Sequence, residues 1–190
     1  YTFSTQFSSG RLYHSVVGQG KLVQHSVIDQ QKPALAFLHD YYLTEHYLVF
    51  PDLSLRFNPK DMFGPEKSPM VFDADYKMRW GIIKRDHQPG DPVRWFTTEQ
   101  PGHLWHVVNG WEETRDDGGT DIVLFAPVFR SYPSNLPIHN PQEPHAKFNK
   151  WRLNLDSGQV TEDRVLLDHF YERPSFNTDY IGQQNPVLVP

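Results

Sequence analysis

In RLNLDSGQVTEDRVL, residues 152–166, two runs of alternating apolar and polar residues flank the turn-forming DSGQ. Alternation with period two assigns successive side chains to opposite faces of a strand. A short Asp/Ser/Gly connection then returns the chain antiparallel. The stretch therefore predicts two consecutive strands of one sheet. Similar short apolar runs occur at 1–4, 12–17, 22–28, 47–57, 69–75, 78–83, 92–98, 104–111, 121–129 and 150–156. They are separated by SSGR, GQGK, KRDHQPGD and RDDGG, all rich in turn residues. Apart from a turn of helix near Pro59–Phe63, no amphipathic helical period of useful length is found. Many short strands predict an all-β protein: a sandwich, a barrel or a propeller, among which the pattern alone does not choose. RSYPSNLPIHNPQEPHAKFN, residues 130–149, reads as a long surface insertion.

Composition agrees with an all-β reading. Aromatic residues make up 14% of the 190, and sixteen prolines and twelve glycines are scattered along the chain, which favours strands and turns over long helices. A formal charge of −5 gives no electrostatic basis for binding nucleic acid or an anionic membrane. Cysteine is absent, which excludes disulfides and thiolate metal sites. Neither a membrane-spanning run nor a signal-peptide pattern is present in the sequence.

Ten histidines dominate the chemistry on offer. His14 and His25 lie in alternating strands and are expected at the surface, and His87, His139 and His145 lie in turn-rich segments expected to be exposed. GHLWHVVNGWEE, residues 102–113, places His103 and His106 close together ahead of two carboxylates. On a helix the two rings would stack on one face. The local sequence is strand-like, however, and residues three apart on a strand face opposite ways. At most one of them can then face a common interior site. An inward-facing ring needs a hydrogen bond or a metal at its nitrogens, and His39 and His106 are the candidates for a metal.

Three segments carry a resemblance to a known family. HDYYLTEHYLVFPD (39–52), WHVVNGWEE (105–113) and YERPSFNTDYIGQ (171–183) resemble, in order, the His-Asp…Thr-Glu, His-x-x-Asn…Trp-Glu-Glu and Glu-x-Pro-x-x-Asn-x-x-Tyr-x-Gly segments of the carotenoid cleavage oxygenases. RWGII, RWF and RLNLDSGQV are similar to its framework, so the resemblance covers nearly the whole chain. It implies a seven-bladed β-propeller with Fe(II) on its axis, held by four histidines. His39 matches the second ligand, His106 the third, and Glu172 the carboxylate that hydrogen-bonds the third. His46 and His103 match no ligand position. The chain departs from the family at Arg173 and Ser175, where Phe and Arg are common, at Gly110 for Ala, and at His46 for Asn.

The function implied is dioxygenase cleavage of a carbon–carbon double bond in a carotenoid or apocarotenoid, with a stilbene-type olefin as the alternative inside the family. A propeller serving only as a binding platform is the alternative outside it. The expected partners are a polyene and O2, with peripheral membrane contact as one route to a lipophilic substrate and no nucleic acid. A plastid or cytoplasmic location is expected. With two ligands unmatched, residues 1–190 are expected to form the central portion of one propeller domain, inactive alone.

Overall fold

The computed structural model describes residues 1–6, 11–28, 38–57, 59–64, 68–132, 145–169 and 172–184. Alternating sequence becomes antiparallel sheet throughout. Strands β1 (Thr2–Gln6), β2 (Arg11–Gly18) and β3 (Lys21–Ile28) form a three-stranded sheet. The β2–β3 hairpin turns through Gln19 and Gly20, both at positive φ (50° and 74°), the conformation that a two-residue hairpin demands. Strands β4 (Tyr42–Leu43), β5 (Tyr47–Asp52), β8 (Arg79–Lys84) and β9 (Arg94–Thr97) form a second sheet in the order β4-β5-β8-β9. A small hairpin, β6 (Leu55–Phe57) and β7 (Met70–Phe72), interrupts it, with a 3-10 turn at Pro59–Phe63 between its strands. Strands β10 (Asn109–Thr114), β11 (Thr120–Val128), β12 (Lys147–Asn154) and β13 (Gln159–Leu167) follow one another in a third sheet. The strand pair expected at residues 152–166 is the β12–β13 hairpin, with Asn154 paired to Gln159.

Burial explains why the sheets stack. In β5 every residue after Tyr47 is buried, because both faces of the middle sheet are covered. Leu48 and Phe50 pack with Leu12 and Ile28 of the three-stranded sheet. Val49, Trp80 and Ile82 pack on Ile122, Leu124, Trp151 and Leu153 of the third sheet, with the Trp80 and Trp151 rings 5.1 Å apart. Burying large aromatic and aliphatic side chains contributes about 2–3 kcal/mol apiece, and these layers hold most of them. Near the head of β8, Asp52 accepts from Arg79 Nε and Tyr76 Oη, both at 2.6 Å, while the Arg79 guanidinium lies over Trp95. This buried charge is therefore paired and stacked, as it must be to be tolerated.

Several expectations change. The run 47–57 is two strands, because Ser54 leaves the ladder to bond Gly102 through its backbone and Tyr76 through its hydroxyl. The run 104–111 becomes a strand only from Asn109, and residues 104–108 are irregular. The strand-alternation argument for His103 and His106 therefore does not hold. His14 and His87 are buried, not exposed. His14 Nδ1 lies 2.8 Å from His87 Nε2, and Gln24 donates to the His87 carbonyl, so the pair ties the first sheet to the turn after β8. Burial, reinforced by His87, pushes the His14 pKa down to about 4. Residues 133–144 of the expected insertion, with His139, lie outside the described residues, and residues 147–149 belong to β12. No helix among the described residues is long and apolar enough to cross a membrane.

Candidate metal centre

β4 and β10 are the first strands of the two four-stranded sheets, and they lie side by side. Gly110 makes the approach possible, since a Cβ there would sit 2.7 Å from Leu124 and 3.1 Å from the Tyr42 ring. Tyr42 Oη in turn donates to the Phe125 carbonyl. His39 stands three residues ahead of β4, and His106 three residues ahead of β10. Each occupies the same position at the entrance to its sheet. Antiparallel order puts the turns 44–46, 115–119 and 155–158 at the opposite end, and the ends of β5 and β11 and the starts of β8 and β12 at the histidine end.

Two carboxylates fix the alignment of these entrances. Asp40 accepts from the Tyr41 amide through one oxygen and from the Val107 amide through the other, each at 2.9 Å. It joins the residue after His39 to the residue after His106. At the far end Glu112 accepts from Thr44 Oγ1 (2.5 Å) and the His46 amide (2.8 Å), and lies 2.9 Å from His46 Nδ1. Its hydrogen bond and charge raise the His46 pKa. Glu113, the other carboxylate of the pair, accepts from Trp111 and pairs with Arg152 within the third sheet.

The rings of His39 and His106 come together, with centroids 5.3 Å apart and planes at 84°. Glu172 Oε2 lies 2.7 Å from His106 Nδ1 and also accepts from the Arg173 amide. A carboxylate at that distance holds the proton on Nδ1, which leaves Nε2 with a free lone pair. Glu172 reaches His106 because its segment is clipped to β10. Asn109 donates to the Tyr180 and Gln183 carbonyls and accepts from the Gly182 amide. Gly182 has φ +73°, and a Cβ would lie 2.7 Å from the Leu43 carbonyl, so no other residue fits. Arg173, beside Glu172, also adopts positive φ (52°), a strained conformation for a side-chain-bearing residue.

The donor set fits a metal in part. Two imidazoles at right angles suit adjacent positions on one Fe(II) or similar ion. Glu172 Oε1 is buried without a hydrogen-bond partner, an arrangement that a nearby cation would offset. Among the described residues no cluster of three or more His, Cys, Asp or Glu could hold an ion. Among the described residues, then, two imidazoles converge, with one carboxylate behind them.

His103 lies elsewhere, paired through its backbone with Phe129 and stacked on the Phe129 ring. Sequence reasoning missed the roles of Asp40 and Asn109. A carboxylate directly after one candidate ligand and an amide three residues after the other were the available signals. Beside the paired histidines a groove of about 320 Å³ is lined by Tyr42, Val107, Val108, Phe176 and Ile181, among others.

The family model described as retinal pigment epithelial membrane protein, RPE65, matches residues 1–188. The chain is 34% identical over 160 residues to the chloroplastic 9-cis-epoxycarotenoid dioxygenase NCED1 of Oryza sativa subsp. japonica, covering 84% of this chain and 24% of that protein. It is 39% identical over 153 residues to the carotenoid 9,10(9',10')-cleavage dioxygenase of Crocus sativus, covering 78% and 27%. It thus spans about a quarter of the length of these relatives. The crystal structure of lignostilbene dioxygenase from Pseudomonas brassicacearum superposes with a TM-score of 0.73 at 26% identity, covering 93% of this chain and 37% of that one. With nearly every residue inside the family match and both sheet entrances built from its motifs, the chain belongs to the RPE65/carotenoid oxygenase family.

Proposed function

We propose that these residues are the central part of a non-haem iron dioxygenase that splits a carbon–carbon double bond of a carotenoid or apocarotenoid. Both atoms of O2 end in the products, one in each new carbonyl. The observation that carries the reading is the pairing of His39 with His106, with Glu172 on His106 Nδ1. The stacked sheets would be successive blades of a seven-bladed propeller, with β4 and β10 as their innermost strands facing the axis.

Fe(II) bound by His39, His106 and histidines beyond this chain would supply activation of O2. The chain's own residues prepare the site for it. Glu172 keeps the His106 proton on Nδ1, and so presents Nε2. Asp40 holds the two ligand-bearing segments in register. Trp105 meets His39 edge-on at 5.8 Å and would wall the space where an apolar substrate lies. Holding the reacting bond beside the metal is the main contribution a protein can make to such chemistry. The rice relatives are named chloroplastic, which supports a plastid location.

A second reading, cleavage of a stilbene-type olefin, is favoured by the likeness to lignostilbene dioxygenase. Product analysis of the full-length protein with a carotenoid, an apocarotenoid and a stilbene separates the two. Iron content tests the site itself. His39→Ala and His106→Ala should each lose iron and turnover, whereas the surface variant His25→Ala should keep both. Full iron content in both ligand variants would overturn the assignment.

A further inference from the structure

His103 is 1% exposed, and neither of its ring nitrogens has a hydrogen-bond partner. Buried polar atoms are almost always paired, and an exception calls for a cause. Four aromatic rings surround the His103 ring among the described residues. Phe129 stacks on it at 4.7 Å, and Phe72, Tyr132 and Trp105 meet it edge-on at 5.9, 5.3 and 5.9 Å. Three of these four walls, Phe72, Trp105 and Tyr132, are only half-buried, so the box lies one side chain below the surface. It also lies at the histidine end of the sheets. Trp105, the wall that touches His103, is the ring that touches His39. An apolar substrate laid along Trp105 would have one part beside His39 and another beside His103.

We propose that His103 is a specificity-determining residue, whose ring nitrogens hydrogen-bond a hydroxyl or carbonyl on the end group of an olefinic substrate. The proposal rests on reading the paired histidines as an olefin-cleaving centre. Burial pushes the His103 pKa down to about 4, so the ring is neutral at pH 7. A neutral imidazole offers one donor and one acceptor, which suits a hydroxyl in either sense. It offers no charge to compensate a carboxylate or an amine, and desolvating either of those in an aromatic box would be costly. An all-hydrocarbon end group would leave the nitrogens as they are, unpaired. A site built to bond a hydroxyl discriminates strongly against the analogue lacking it.

The test uses the full-length iron-loaded protein with β-carotene and zeaxanthin, which share one polyene and differ by a hydroxyl on each ring. Binding is followed by quenching of tryptophan fluorescence and cleavage by product chromatography. The wild type should favour zeaxanthin in both Kd and KM. His103→Phe should weaken zeaxanthin binding by about 10- to 100-fold, the loss expected for one buried hydrogen bond, and leave β-carotene within about twofold. His103→Gln, which keeps a donor and an acceptor, should retain most of the preference. Equal losses on both substrates, or none on either, would overturn the proposal. If the wild type binds both polyenes but cleaves neither, the olefin-cleaving reading fails, and the ratio of the two Kd values still decides the role of His103.

Discussion

Glu172 has one carboxylate oxygen engaged twice and the other buried without a partner. Glu172→Gln can still accept from His106 Nδ1 but brings no negative charge to raise the basicity of Nε2. It should therefore lower iron affinity or turnover by about 10- to 100-fold, the usual cost of losing such a support. Metal titration of the full-length protein checks this, and unchanged affinity would remove Glu172 from the site. His103 makes a separate claim through pH. Its folded-state pKa lies near 4, below the ordinary value of 6.5. Between those values the unfolded chain takes up a proton that the folded chain refuses, so stability falls as pH drops from about 6.5 toward 4. The loss attributable to this ring is on the order of 3 kcal/mol. Denaturant unfolding of wild type and His103→Phe at pH 7 and pH 4.5 should show the variant gaining relative stability at the lower pH. A pH-independent difference would mean the ring is not kept neutral by burial.

At the scale of elements, the site is a matter of how β4, β10 and the segment after β13 are fastened together. Asp40→Ala would leave the Val107 and Tyr41 amides without their acceptor, at a cost of about 1–2 kcal/mol. It should also reduce iron occupancy, because His39 and His106 lose their common support. Gly182→Ala should cost about 1–2 kcal/mol from its left-handed backbone alone, with more from the Leu43 carbonyl. It would loosen the clip that brings Glu172 to His106. Thermal unfolding with metal titration reads both effects, and a Gly182→Ala protein of wild-type stability would show that the segment can dock otherwise. The same elements mark what the sequence made legible. His39, His106 and Glu172 stood out because three motifs occurred in a known order, and the strands because alternation is local. The start of β10 was not legible, since HVV reads as strand whether or not a neighbour offers a ladder. His14 looked like a surface residue because alternation separates two faces without saying which is covered. Here Phe3 and His87 cover the His14 face. Asp40 looked like part of a motif rather than a clamp, because its partner Val107 is remote in sequence.

On the scale of the whole molecule, the sheets pack on one another in sequence, and the three-stranded sheet stands at the start of the stack. There the outward side of the β2–β3 hairpin leaves Val17, Val23 and Val27 46–68% exposed. Clustered exposed apolar residues on a sheet favour association with other surfaces. The edge strands β3 and β13 add unpaired backbone groups of the kind that template aggregation. In a closed propeller such faces meet neighbouring blades, and the chain spans only about a quarter of its relatives' length. The proposed metal site has the same incompleteness, with two histidines converging and no third donor clustered with them among the described residues. Iron affinity depends on donor number and geometry, so two imidazoles alone should hold it weakly. Residues 1–190 expressed by themselves should therefore associate or precipitate, bind well under one iron per chain and cleave no carotenoid. Light scattering, metal analysis and product chromatography on that polypeptide measure all of this directly. A soluble monomer with one tightly held iron and measurable cleavage would mean that the centre is completed from within these residues. His103, the buried ring with both nitrogens unpaired, would then be the first donor to examine.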